Sequence, residues 1–179
     1  MKKVNMVMGA FFSEVGYRLL GIFAAGDVDI AVTRETLLVG FDWTAEQFRA
    51  AGKALAEHPF RVDSRQVPLE TLCSVLNRRK GFLVSLMENP VLVEQETFSE
   101  TLLAVFHLAD ELECRGEALC RLPGADTRHL ENDMNRAYQK LAAQWLDYLR
   151  HLKTHYPYLY SLAVRKNPFD PGASPILTA

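Results

Sequence analysis

Residues 126–155, DTRHLENDMNRAYQKLAAQWLDYLRHLKTH, decide the fold class of this 179-residue chain. Apolar and aromatic side chains recur there every three or four residues, at Met134, Tyr138, Leu141, Trp145, Tyr148 and Leu152. An α-helix repeats every 3.6 residues, so this spacing puts all of them on one face. A helix with such a long apolar face needs other helices to cover it. The segment therefore predicts a helical bundle.

The same spacing predicts helices on both sides of this segment. They cover about residues 3–25, 28–39, 44–57, 68–88, 97–115 and 158–166. We predict two capping boxes, Thr44 with Gln47 and Thr97 with Glu100. No segment alternates as a strand does. We therefore predict an all-α, antiparallel helical bundle of about six to seven helices, with a single domain over 1–168 and an extended or flexible C-terminal tail over 169–179.

The composition is that of an ordinary globular domain without a strong charge. Hydrophobic residues make up 49% of the chain, and the formal net charge is -2 at pH 7. A nucleic-acid-binding domain needs a basic face to meet phosphate, so this balance argues against nucleic acid as a partner. The cysteines, Cys73, Cys114 and Cys120, lack disulfide or zinc spacing. Reduced thiols are typical of cytoplasmic proteins, and we predict that location.

The N-terminal apolar stretch, residues 4–25, has the length of a membrane span or a signal peptide. Glu14 and Arg18 lie near its middle, and each charge at the centre of a span costs about 2.5–3.5 kcal/mol on insertion scales. Its apolar residues also follow helical spacing on one face. We therefore predict an amphipathic helix that packs on protein, and no transmembrane segment in this chain.

Signatures of common catalytic and phosphate-binding sites are absent from the sequence. It contains no GxGxxG or GxxxxGK(S/T) loop, no GxSxG turn and no HExxH motif. We therefore predict a non-enzymatic protein that uses no cofactor.

Two predicted helices carry pairs of metal-ligand residues at four-residue spacing, which puts both side chains of a pair on one face. The pairs are His107 with Glu111, and His151 with His155. If the two helices pack side by side, the four side chains form a candidate metal site. The alternative is that they are surface or boundary residues without a ligand. His129 lies near a helix end, where a helix dipole or a cap explains it.

The apolar face of the first helix and the aromatic residues of the proline-containing C-terminal segments are candidate partner-binding residues. They are Phe11, Val15, Leu19, Tyr156, Tyr158, Tyr160 and Phe169. The alternative for each is packing within the bundle. A terminal helix is also the element most easily shared with a second subunit, so we predict a homo-oligomer or a partner protein.

Three stretches carry a resemblance to a known family. They are VNMVMGAFFSEVG at 4–16, ENPVL at 88–92 with the helix at 98–112, and 144–175, which contains YPYLYSLA and NPFDP. Together they resemble the cytoplasmic C-terminal domain of bacterial potassium-channel-like proteins of the two-transmembrane, pore-loop type. Such a channel needs two membrane helices and a TVGYG-like loop, and this sequence has neither. The resemblance therefore implies a regulatory or assembly module and not the pore.

The sequence leaves three functions open. The first is a self-associating regulatory or assembly module, held at the inner face of the membrane through a partner such as a membrane channel module. The second is a metal-binding helical bundle. The third is a small-molecule sensor domain with an apolar ligand between its helices, for which Phe106, Trp145 and Tyr148 are the candidate wall residues.

Overall fold

The computed structural model describes residues 2–93 and 95–177. The chain begins with one continuous helical rod: α1 (Lys2–Phe11) runs into a π-helical turn (Phe12–Gly16), which continues as α2 (Tyr17–Gly26). The prediction of an all-α bundle is confirmed, because the described residues contain no β-structure beyond an isolated bridge between Asp27 and Val62.

The remaining helices follow one another through short connections. They are α3 (Ile30–Leu37), α4 (Ala45–Glu57), α5 (Leu69–Met87), α6 (Pro90–Val93), α7 (Glu96–Arg115), α8 (Gly124–His155) and α9 (Pro157–Arg165). Two 3-10 turns, Ser64–Gln66 and Gly116–Arg121, lie in the connections before α5 and after α7.

The core forms around α8. The α1–α2 rod, α4, α7 and α9 all pack against it. The apolar face that decides the fold class is buried along its whole length, at Met134, Tyr138, Leu141, Trp145, Tyr148 and Leu152. Burying one large apolar side chain contributes about 1.5–3 kcal/mol relative to leaving it in water. This face therefore holds the surrounding helices together.

The start of α4 confirms one predicted capping box. The Thr44 hydroxyl accepts a hydrogen bond from the Gln47 backbone N–H at 3.3 Å, and the Gln47 side chain accepts one from the Thr44 N–H at 2.7 Å. Both bonds satisfy N–H groups that the first turn of a helix leaves without partners.

The second predicted capping box is wrong. α7 begins at Glu96, one residue before the threonine that was expected to cap it, and Gln95 makes no side-chain cap. The start of α7 is instead tied to α6, because the Ser99 hydroxyl donates to the Leu92 carbonyl at 2.9 Å. The predicted break at Pro157 is confirmed, since this residue opens α9 at a position where a missing N–H costs nothing.

A buried polar network joins the end of α2 to α3 and α8. Asp27 accepts hydrogen bonds from the Thr33 hydroxyl at 2.7 Å and the Tyr138 hydroxyl at 3.1 Å. His58 Nε2 lies 3.0 Å from the Thr33 hydroxyl. Burial, together with the neighbouring Asp27 carboxylate, raises the pKa of Tyr138. These bonds anchor the connection between α2 and α3 to α8.

The segment after residue 168 begins inside the core. The Phe169 ring is fully buried, and the Phe169 carbonyl accepts a hydrogen bond from Arg34 Nε at 3.1 Å. The Asn167 side chain donates to the Leu37 carbonyl at 2.8 Å. Residues 171–177 are exposed. The anchored part of the chain therefore extends past the boundary that the sequence predicts.

The first rod contains the segment Val4–Gly26, which is long and apolar enough to cross a membrane by length and composition alone. The core helix of a folded domain passes the same test. In this fold Phe11, Val15 and Leu19 are completely buried, so the apolar face of the rod already packs on other helices.

Candidate metal centre

α7 and α8 form an antiparallel hairpin, because only residues 116–123 connect them. The second half of α7 therefore lies beside the first half of α8. There α7 carries His107 and Glu111, and α8 carries His129 and Asp133. The residues of each pair are four apart, so their side chains share one helix face.

The four side chains meet in one group, which we call the His/carboxylate cluster. His107 Nε2 lies 3.6 Å from Glu111 Oε1 and 3.4 Å from Asp133 Oδ2. His129 Nε2 lies 3.5 Å from Glu111 Oε2 and 3.3 Å from the same Asp133 oxygen. Ligand atoms of His107, Glu111 and Asp133 all lie within 4.8 Å of one another. Each imidazole therefore faces both carboxylates.

Asp133 is the buried member of the cluster, with a side chain only 3% exposed. Its Oδ2 atom is buried and has no hydrogen-bond partner among the described residues. The two imidazole nitrogens at 3.3 and 3.4 Å lie beyond the usual range of about 2.7–3.2 Å for such bonds. A buried acceptor without a partner costs about 1–3 kcal/mol. This oxygen therefore points to a ligand that satisfies it.

Two arginines hold the carboxylates from outside. Arg136 donates to Asp133 Oδ1 at 2.7 Å, which leaves Oδ2 directed at the histidines. Arg115 donates to Glu111 Oε2 at 2.5 Å and binds both oxygens of Asp126 at 2.8 and 2.6 Å. The Arg115 guanidinium lowers the pKa of Glu111, so this carboxylate is ionised and ready to bind a cation at neutral pH.

One imidazole nitrogen and two carboxylates, those of His107, Glu111 and Asp133, lie close enough together to share one ion, and such a ligand set suits a divalent first-row transition metal such as zinc, iron or manganese. In a tetrahedral zinc site, bonds of about 2.0–2.1 Å put neighbouring ligand atoms about 3.4 Å apart. The imidazole–carboxylate separations of 3.3–3.6 Å match that spacing. The side chains of His107 and His129 are about half exposed, so an ion has access from solvent.

The structure brings together half of the sequence-predicted metal residues. His107 and Glu111 lie in the cluster, whereas the rings of His151 and His155 contact each other in a tilted arrangement, with centres 4.4 Å apart, at the far end of α8. Burial lowers the pKa of His151. At a rise of 1.5 Å per residue, His151 lies about 27 Å along α8 from Asp133. The two histidine pairs therefore cannot share an ion.

Sequence reasoning missed His129 and Asp133. The signal was available, because the two residues are four apart, as His107 and Glu111 are. A short connection between antiparallel helices places the end of the first beside the start of the second. That register selects His129 and Asp133 as the partners of the α7 pair.

Most of the predicted partner-binding residues lie inside the bundle. Phe11, Val15, Leu19, Tyr160 and Phe169 are buried, Tyr156 is half-buried, and Tyr158 is exposed. The Tyr160 hydroxyl donates to the Gly40 carbonyl at 2.7 Å. Only the start of α9 therefore offers a predicted aromatic residue at the surface.

The fold and the cluster define an all-α bundle domain with a group of metal-ligand type between two antiparallel helices. The chain belongs to the family described as "Uncharacterized protein MJ1433, C-terminal helical domain", which matches residues 1–165. A relative, "Uncharacterized protein MJ1433" of Methanocaldococcus jannaschii, is 48% identical over 170 residues, covering 95% of this chain and 68% of the relative. No solved structure matches the chain.

These comparisons confirm a helical domain and go no further. Neither the family description nor the name of the relative mentions a potassium channel. The resemblance to channel-like proteins therefore gains no support from them.

Proposed function

We propose that this chain is a non-enzymatic helical regulatory module in which a divalent transition metal joins α7 to α8. The observation that carries the proposal is the convergence of His107, Glu111, His129 and Asp133 around the unbonded Asp133 Oδ2. An ion there holds His107 and Glu111 of α7 and Asp133 of α8, with His129 beside it. Occupancy of the site therefore controls how firmly the two helices pair.

A role in helix pairing fits the surroundings of the cluster better than substrate turnover. Three clefts in the described part of the chain, including one of about 540 Å³, are lined by residues outside the cluster. An enzyme site needs a recess that positions a substrate beside the metal and excludes water. The cluster instead lies on the side of a helical hairpin, where an ion acts on the hairpin itself.

Metal analysis of the purified chain tests the proposal. The protein is dialysed against Zn²⁺, Fe²⁺ or Mn²⁺, and bound metal is measured by mass spectrometry of the elements. We expect one ion per chain. At a metal concentration of 100 Kd, binding adds about 2.7 kcal/mol to the free energy of unfolding. For a chain of this size that raises the melting temperature by roughly 5–10 °C.

The chain offers a matched control for this experiment. His107→Ala with His129→Ala removes both imidazoles of the cluster, and His151→Ala with His155→Ala removes the histidine pair at the far end of α8. We expect only the first double variant to lose the ion and the thermal shift. A wild-type chain without bound metal would contradict the proposal and leave imidazolium–carboxylate ion pairs as the explanation of the cluster.

Assembly with a second copy or a partner protein is the other function we propose, and a separate observation favours it. Large apolar side chains are exposed within one short stretch around α3, at Val28, Val32, Leu38 and Phe41. Light scattering of the wild type and of Val32→Glu tests this. We expect an oligomer that the variant dissociates, and a monomeric wild type with no captured partner would contradict it.

A further inference from the structure

A recess remote from the His/carboxylate cluster opens at the other end of α8. It is a cleft of about 540 Å³ between α1, the end of α8 and α9. Small-molecule sites have volumes of about 300–1,000 Å³. We call it the tyrosine cleft, and its lining includes Met6, Tyr17, Tyr148, Tyr158, Leu162 and Lys166.

The walls of the tyrosine cleft carry large apolar side chains that are exposed to solvent. Met6 is 75% exposed and Tyr158 is 72% exposed. Leu159 and Leu162 on α9 are exposed beside them. Large apolar side chains gathered in one recess mark a binding site, because covering them removes apolar area from water. The walls therefore select an occupant with an apolar body.

The charge at the cleft determines which polar group the ligand should carry. Among the residues that the structure describes, Lys166 is the only charged one that lines the cleft, and no carboxylate does. The Lys166 ammonium lies 4.9 Å from the centre of the Tyr17 ring, which holds it at the cleft by a cation–π contact. An anion is attracted to this position and a cation is repelled.

The backbone of the first rod is shaped around the same cleft. Ser13 and Tyr17 both line it, Ser13 within the π-helical turn and Tyr17 directly after it, and such turns occur frequently at functional sites. Gly9 allows the Tyr148 hydroxyl to approach the rod, since a Cβ there would lie 2.9 Å from that oxygen. Burial raises the pKa of Tyr17 to about 12, so its hydroxyl remains a donor at neutral pH.

We propose that the tyrosine cleft binds a small amphipathic carboxylate. Its alkyl or aryl body packs on Met6, Tyr158 and Leu162, and its carboxylate pairs with Lys166. The site is independent of the metal proposal, because it shares no residue with the cluster.

Isothermal titration with decanoate, below its micelle concentration, tests this site on the full chain. We expect one decanoate per chain. Lys166 is exposed, and an exposed ion pair contributes up to about 1 kcal/mol, so we expect Lys166→Gln to weaken binding about two- to fivefold. Decylammonium, with the same tail and the opposite charge, binds more weakly by a similar factor. Lys166→Arg retains the decanoate affinity.

Lys153→Gln is the matched control. Lys153 also lies over a tyrosine, 5.0 Å from the centre of the Tyr160 ring, but outside the cleft. We expect its decanoate affinity to equal that of the wild type. Equal binding of decanoate and decylammonium, equal effects of the two lysine variants, or no binding would overturn the proposal. So would a dimer that Leu162→Glu dissociates, because the cleft would then be an interface between copies.

Discussion

The two oxygens of Asp133 have different surroundings, which allows the metal ligand to be tested at a single residue. Oδ1 accepts a hydrogen bond from Arg136, and Oδ2 faces both imidazoles. Asp133→Asn keeps the size of the side chain and removes its charge. We expect the affinity for Zn²⁺ to fall by at least about 100-fold, because changes outside the ligand shell already cost 10–100-fold. Titration against a competing chelator measures the loss.

Asp147→Asn on the same helix controls for charge and for the loss of an ion pair. Asp147 precedes its partner Arg150 by three residues, as Asp133 precedes Arg136, but both members of the second pair are exposed. We expect its Zn²⁺ affinity to be that of the wild type. Equal losses in the two variants would assign the effect to the overall charge of α8.

At the scale of one element, the π-helical turn of the first rod gives Gly16 and Gly21 different surroundings. A Cβ on Gly16 would lie 2.4 Å from the Phe12 ring, whereas a Cβ on Gly21 would meet nothing within 4 Å. Phe12 is fully buried and stacks on Tyr148, so its ring cannot move freely. We expect Gly16→Ala to destabilise the fold by about 1–3 kcal/mol, as overpacking does.

Gly21→Ala is the control in the same rod. Alanine is better than glycine in a helix by about 0.8–1.0 kcal/mol, so we expect this variant to gain up to that amount. Urea denaturation of both variants measures the difference. A stabilised Gly16→Ala would mean that the turn relaxes to ordinary α-helix, and the shape assigned to this segment would then be wrong.

The sequence predicts the helices better than it predicts which side chains meet between them. The periodicity that predicts α8 is a local property of the chain, and so is the capping box at Thr44. The pairing of His107 with Asp133 depends on how two helices align, which spacing within one helix does not reveal. The short connection of residues 116–123 is what sets that alignment.

Other features depended on contacts that no local pattern reports. The π-helical turn fits Phe12 between Phe11 and Tyr148, residues from two separate elements. The tyrosine cleft combines residues from both ends of the chain, such as Met6 and Leu162. The sequence predicts Tyr148, Tyr156 and Tyr158 as binding residues, but no local pattern reveals that they line one cleft together with Met6 and Lys166.

At the scale of the molecule, α8 connects the two proposed sites. Asp133 lies near its start and Tyr148 near its end, about 22 Å apart along the axis at 1.5 Å per residue. Every residue of the apolar face between them is buried. A rigid helix that carries a metal cluster at one end and a ligand cleft at the other gives both sites the same scaffold, although each is tested separately.

The whole fold also includes the segment that the sequence assigns to a loose tail. The Phe169 ring packs against Trp145 and Tyr138, with centres 5.4 and 6.3 Å away. Because the ring is fully buried, we expect Phe169→Ala to destabilise the protein by about 3–5 kcal/mol. Phe41→Ala removes an exposed ring and should change stability by less than about 0.5 kcal/mol. If urea denaturation gave both variants the same stability, residues after 168 would not belong to the core, and the bundle would end where the sequence predicts.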